Sequence, residues 1–234
     1  MGILRIAVVT FFLMFYIFGA LLLFPLYLAT KRRIGGVMFR KWAKILLKIC
    51  GVTCEVDGLE NIDPNGTYFV VANHRSIADI PIIASVLPLN LRIMAKKELF
   101  KIPFLGQTML LYDFVPIDRR NRRNAVKSLE NARKKMKTLS FLVFPEGTRS
   151  RTEQVEKFKS GALWLTENGC QILPVALTGA EKIMEIGRFA INSGKVRMKI
   201  LPPVRIGENE SRQELAERLQ KIVSDGVAEI KESL

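Results

Sequence analysis

His74 is the only histidine among the 234 residues, and it stands five positions ahead of Asp79 in the stretch Asn73-His74-Arg75-Ser76-Ile77-Ala78-Asp79. Imidazole changes charge near neutral pH, so a proton transfer at that pH would pass most readily through this side chain. A carboxylate that accepts from one ring nitrogen leaves the other with a free lone pair, which is the arrangement of a general base. On one continuous helix, five residues would set the two side chains about 140° apart. His74 is therefore expected in the loop after a strand, with Asp79 at the entrance of the next helix. Pro81 agrees, because proline is tolerated in a first turn and deletes a hydrogen bond deeper in a helix. Asp79 also has a structural role open to it, as an N-cap or as the far end of a Ser76-x-x-Asp79 capping box. Asn73 and Ser76 can likewise satisfy turn backbone near His74, and Ser76 is not expected to be a nucleophile.

These residues need a frame. From about Gly51, short apolar runs alternate with helical periodicity. Strands are expected at Cys54–Val56, Tyr68–Ala72, Leu91–Ala95, Phe114–Ile117, Leu139–Phe144, Ile172–Leu177 and Val196–Ile200. Helices are expected at Ile80–Val86, in part of Phe100–Leu111, at Asn124–Met136, at Lys159–Glu167, and in a terminal run carrying Leu215, Leu219, Ile222, Val223 and Ile230. This alternation predicts an α/β fold over residues 51–234, with a central mostly parallel or mixed sheet flanked by helices.

Residues 1–50 read differently, as a membrane-associated two-helix element ahead of the sheet. Ile6 to Ala29 carries no charge; such a run is about 36 Å long if helical, enough to cross a hydrocarbon core. Lys31-Arg32-Arg33 follow directly, which would leave the rest of the chain on the cytoplasmic face. A cleaved signal peptide fits poorly, because no small-residue cleavage site ends the run. Met38, Phe39, Trp42, Ile45, Leu46 and Ile49 then recur at three- and four-residue intervals, with Arg40, Lys41, Lys44 and Lys48 on the other side. That pattern suits a helix lying in an anionic interface, or one packed on the domain with a solvated basic face. Gly35-Gly36 is expected to turn the chain between the two helices, giving either a span followed by an interfacial helix or a hairpin within one leaflet.

Thirty-six Lys and Arg against twenty-two Asp and Glu leave a net charge of +14. The excess draws the protein toward phosphate-bearing material. Nucleic acid is disfavoured: there is no recognition motif, and the apolar front end commits the chain to lipid. Cys50, Cys54 and Cys170 form an odd set without metal-ligand spacing, and one histidine with scattered carboxylates defines no metal site. Phosphate is better met by arginine, whose guanidinium fork holds two oxygens. Arg119 follows an expected strand and Arg149 an expected strand-end loop, so both can reach one rim. Arg120-Asn121-Arg122-Arg123 and Arg133-Lys134-Lys135 can attract membrane phosphates or an acidic carrier protein, and Lys157-Phe158-Lys159 is a further substrate-side possibility.

Asn73 to Asp79 resembles the NH-x4-D signature of the glycerolipid acyltransferases. Phe114-Val115-Pro116-Ile117-Asp118-Arg119 resembles that family's second block, Phe144-Pro145-Glu146-Gly147-Thr148-Arg149-Ser150 matches its third without departure, and Ile172-Leu173-Pro174-Val175-Ala176-Leu177 resembles its fourth. Within the family, the bacterial 1-acyl-sn-glycerol-3-phosphate acyltransferases are most similar in length and in their membrane-active front end. The resemblance implies transfer of an acyl group from acyl carrier protein or acyl coenzyme A, as co-substrate and without a cofactor, to the sn-2 hydroxyl of lysophosphatidate at the cytoplasmic face of the cell membrane. His74 would be the base and Asp79 its partner. Arg119 and Arg149 would hold the acceptor phosphate, and Glu146, Gly147, Thr148, Asn73 and Ser76 would shape the acceptor loops. Two alternatives stand beside this reading. One is acylation of another glycerol-containing acceptor, such as glycerol 3-phosphate at sn-1; the other is a non-enzymatic protein that binds anionic lipid.

Overall fold

The computed structural model describes residues 33–118, 121–168, 170–187 and 190–232, and within the first thirty residues positions 7, 10, 11, 14, 18, 19, 21, 22 and 24–29. Ten of the twenty-four positions of the apolar run at 6–29, the expected membrane span, lie outside the described residues. Among those described, no helix is long and apolar enough to cross a membrane. Among the described residues, α1 (Phe24–Ala29) and α2 (Arg33–Cys50) precede the sheet. Gly35 and Gly36 lie inside α2 rather than in a turn between helices. The reason is packing: a Cβ on Gly36 would sit 2.6 Å from the Asn90 Cα, and the Gly36 N–H donates to Asn90 Oδ1 at 3.1 Å. Glycine here lets the helix touch the Leu89–Asn90 backbone. The inward stripe of α2 is Phe39, Ala43, Leu47 and Cys50, one step around from the expected stripe, while Val37 and Ile45 stay 42% and 49% exposed. The helix is thus docked on the domain and still presents apolar side chains outward.

Seven strands follow: β1 (Val52–Asp57), β2 (Tyr68–Ala72), β3 (Leu91–Lys96), β4 (Val115–Ile117), β5 (Ser140–Val143), β6 (Gln171–Thr178) and β7 (Gly194–Ile200). They form one sheet in the order β1-β7-β6-β2-β5-β3-β4. All neighbours are parallel except β6 and β7, so the mixed, mostly parallel sheet expected from the alternating pattern is present. The centre of the sheet is apolar on both faces, as parallel strands covered by helices must be. Along β2, Tyr68, Val70 and Ala72 enter one core cluster while Phe69 and Val71 enter the other, the two-residue period of a strand.

The first face is covered by α2, by α3 (Asp79–Val86) and by α4 (Leu105–Leu111) through Phe39, Leu47, Ile82, Ile83 and Met109. The second is covered by α5 (Arg122–Lys135), by a 3-10 segment at Ser160–Asn168 where an α-helix was expected, and, beyond the short α6 (Ala180–Ile183), by the terminal α7 (Arg212–Glu232). The two faces differ outside as well. Apart from Leu59, the exposed large apolar side chains of the described residues lie on the N-terminal helices and on the loops and helices of the first face, among them Ile77, Ile102, Phe104 and Leu110. Because β2, β3, β4, β5 and β6 run the same way, the loops after them gather at one edge, where open α/β sheets bind ligands.

Candidate active site

His74 lies in the loop leaving β2, and Asp79 is the first residue of α3, the geometry that the five-residue spacing requires. His74 Nδ1 and Asp79 Oδ2 are 2.8 Å apart. The same carboxylate oxygen accepts the backbone N–H groups of Arg75 and Ser76, each at 2.8 Å. Asp79 is buried, so these three charge-assisted bonds fix it firmly. Asp79 is not the N-cap, which is Ala78; one oxygen holds the backbone of the turn before α3, the acidic half of the Ser76-x-x-Asp79 box, and also orients the imidazole. With Nδ1–H donating to Asp79, the Nε2 lone pair is free, and Nε2 meets no partner among the described residues. The His74 side chain is 14% exposed, enough for a hydroxyl to reach that nitrogen.

The loop after β5 clamps His74 from the other side. Its N–H donates to Glu146 Oε1 at 2.8 Å, and its carbonyl accepts the Ser150 N–H at 2.8 Å. Phe144 stacks on the imidazole with ring centroids 4.0 Å apart. Glu146 is buried, and its second oxygen has no hydrogen-bond partner among the described residues. Burial, aided by the nearby carboxylates of Glu156 and Asp79 and opposed by the His74 N–H, pushes its carboxyl up to about 7. Gly147 adopts φ +78, which only glycine takes without strain, and closes a turn back to the Phe144 carbonyl. The half-buried Arg149 makes no ion pair among the described residues and sits one position before Ser150, at the His74 backbone. Thr148 is exposed, and among the described residues its hydroxyl reaches only the Arg149 carbonyl, at 3.4 Å.

Asn73 faces away from the base. Its amide donates to the Leu177 carbonyl and accepts the Leu177 N–H, both at 2.9 Å, tying the end of β2 to β6. Ser76 is fully buried; its hydroxyl donates to the Met184 carbonyl and accepts the Ala78 N–H. Both residues hold the loop. Arg119 lies outside the described residues. Its neighbour Asp118 pairs with Lys97 at 2.7 Å, which brings to the same edge a cation not singled out in the sequence, although Lys96-Lys97 directly follows an expected strand. Lys159 donates its N–H to the Pro145 carbonyl, and a Cβ on Gly147 would lie 2.9 Å from its ammonium, so this cation rests on the β5 loop. Among the described residues, no three His, Cys, Asp or Glu side chains gather as metal ligands would.

Two cavities approach this loop. One, of about 390 Å³, lies on the first face and is almost wholly apolar, with Phe39, Trp42, Leu46, Ile80 and Met109 in its wall; it reaches Ile77 and Ala78, between the base and Asp79. The other, of about 980 Å³ and of mixed polarity, lies on the second face between α5 and the Phe144–Gly147 turn.

The arrangement can accept a proton from a hydroxyl beside an oily cavity and a set of cations. Known proteins agree with that chemistry. A family model described as Acyltransferase matches residues 53–178. The chain is 32% identical to the 1-acyl-sn-glycerol-3-phosphate acyltransferase of Saccharomyces cerevisiae over 80% of its own length, and 32% identical to a chloroplastic one of Arabidopsis thaliana over 90%. It spans 63% and 61% of those two relatives. A Salmonella typhimurium enzyme of the same description is 30% identical, over 83% of this chain and 79% of its own. The solved structure of a Thermotoga maritima 1-acyl-sn-glycerophosphate acyltransferase superposes with a TM-score of 0.84 at 32% identity, over 98% of this chain and 96% of that one.

Proposed function

The chain belongs to the acyltransferase family, and we propose that it transfers a fatty acyl group from a thioester donor to the sn-2 hydroxyl of 1-acyl-sn-glycerol 3-phosphate, making phosphatidate. The observation that carries the reading is the 2.8 Å contact between His74 Nδ1 and Asp79 Oδ2, with no partner on Nε2 among the described residues. Nε2 takes the hydroxyl proton as the oxygen attacks the thioester carbonyl. Asp79 steadies the imidazolium. The tetrahedral intermediate then collapses, the carbon–sulfur bond breaks, and the thiolate recovers the proton from His74. No acyl-enzyme forms. Arg149 and Arg119 hold the acceptor phosphate, while Glu146 and Gly147 shape the loop that carries Arg149 and clamps His74. Thr148, Asn73 and Ser76 have no contact with substrate in this scheme.

The apolar cavity receives an acyl chain. Transferring such a chain from water saves roughly 0.8 kcal/mol per methylene, which favours a site open to lipid over one open to water. The exposed apolar side chains of the first face seat the domain on the cytoplasmic leaflet of the cell membrane, helped by the N-terminal helices. The donor thioester is carried by acyl carrier protein or by coenzyme A. The test is phosphatidate formation by detergent-purified protein from 1-acylglycerol 3-phosphate with each donor in turn, beside His74→Ala and with glycerol 3-phosphate as a rival acceptor. Product that disappears in the variant supports the reading. Acylation of glycerol 3-phosphate alone, or no product from folded protein with lipid supplied, refutes it.

A further inference from the structure

Helix α5 carries Arg122, Arg123, Lys127, Arg133, Lys134 and Lys135 against the single acid Glu130. Helix α7, on the same face of the sheet, carries four basic and five acidic residues, and Arg218, Lys221 and Lys231 there are paired with Glu210, Asp225 and Glu153. On α5, Lys135 pairs with Asp113, whereas Arg123, Lys127, Arg133 and Lys134 meet no carboxylate among the described residues. Arg123, Lys127 and Lys134 fall within an arc of about 40° on the helix, roughly opposite the buried Leu129 and Ala132. Glu130 falls about 20° from Arg123 on the same side, so the column holds three cations around one acid and keeps a net positive charge pointing away from the sheet.

From this we infer that α5 is a docking surface for an acidic protein partner, the carrier that presents the acyl thioester. The inference rests on the acyl-transfer reading above and assigns the donor side of the same site. Three observations favour a soluble acidic protein over the membrane. The exposed apolar side chains of the first face are absent from α5 and α7, so the column lies on the face turned from the lipid-seeking one. An acidic surface complements a local excess that the protein does not neutralise itself, and such complementarity steers encounter and fixes orientation. The third is the mixed cavity beside the helix. Ala125, Val126 and Leu129 of α5 form one wall, Lys159 and Gly161 stand on another, and the far end is Phe144, Pro145 and Gly147, the turn that clamps His74. A carrier seated on α5 can thread a slender, amide-bearing prosthetic arm along this path, while the lipid acceptor comes from the opposite face. Each substrate then has its own approach to one base.

The test reverses the column, with Arg123→Glu, Lys127→Glu and Lys134→Glu combined, and keeps Lys231→Glu on α7 as a control. These side chains are exposed, so the fold and the dyad are left alone. Binding of the acidic acyl carrier protein is measured directly, on the His74→Ala background as well, and kcat/KM is measured with the acyl-carrier-protein and acyl-coenzyme-A donors. The expected result is a tenfold or greater loss of carrier binding and of carrier-dependent kcat/KM, carried by KM, with the coenzyme A reaction within about twofold of the parent and the control unchanged. Carrier dependence should also fall more steeply with salt than coenzyme A dependence. Unchanged carrier binding overturns the inference. So does an equal loss with both donors, or a loss confined to sedimentation with anionic vesicles, which would assign the column to lipid. Carrier binding lost in the variant, with no turnover by the parent protein, would sink the proposed reaction and leave the docking surface standing.

Discussion

Glu146 is a buried carboxyl whose second oxygen has no hydrogen-bond partner among the described residues, while its first accepts the backbone N–H of His74. Replacing it by glutamine keeps an oxygen for the His74 N–H and removes the ability to ionise. In the native protein the group holds its proton to about 7, against an ordinary 4.5. Between those values the folded chain binds a proton that the unfolded chain has released, so folding stability falls as pH rises. The stability is fully present below about 4.5 and is lost as pH passes through about 7. The whole difference corresponds to about 3 kcal/mol, and water at the rim screens part of it, leaving roughly 2–3. Glu146→Gln should therefore be nearly as stable as the parent at about pH 5 and more stable by about 2 kcal/mol at about pH 8.5. Denaturant unfolding followed by circular dichroism across that range reads the difference directly. Parallel stability curves for the two proteins, or a variant weaker than the parent at the alkaline end, would refute the argument that burial governs this carboxyl.

Asp79→Asn keeps an oxygen for the Arg75 and Ser76 N–H groups but removes the charge that steadies the imidazolium. The thermal midpoint should move little, while kcat falls roughly 10³–10⁴-fold, the scale seen when a triad carboxylate is neutralised, with little change in acceptor KM. Asn73→Ala strands the buried N–H and carbonyl of Leu177; a destabilisation of about 2–4 kcal/mol in urea unfolding is expected. Ile80→Trp projects into the apolar cavity of the first face, so preference should shift to shorter acyl donors, with kcat/KM changing about fourfold for each methylene excluded. A chain-length profile identical to that of the parent would separate that cavity from the acyl chain.

The strands were legible because each comes from local pattern: Tyr68–Ala72 is a strand to the residue, and the others differ from expectation by one or two positions, whereas their order in the sheet depends on distant chain. The His74–Asp79 contact was legible for the same reason, since both ends lie within six residues and one helix start. What escaped depends on distant chain. Glu146 meets His74 across 72 positions, and Gly36 meets Asn90 across 54, so neither spacing has a period to read. A glycine pair inside a helix is indistinguishable, by type alone, from one that turns the chain. Asp79 is not the N-cap of its helix, but as the acidic half of a capping box it also partners the imidazole. The acidic end of a capping box aims an oxygen back at the preceding turn, and that turn is where His74 sits. A substitution that removes this oxygen, such as Asp79→Ala, must therefore also release the imidazole, so stability and turnover should decline together there; Asp79→Asn, which keeps the oxygen, should lose turnover first, and at Asn73 stability should fail first.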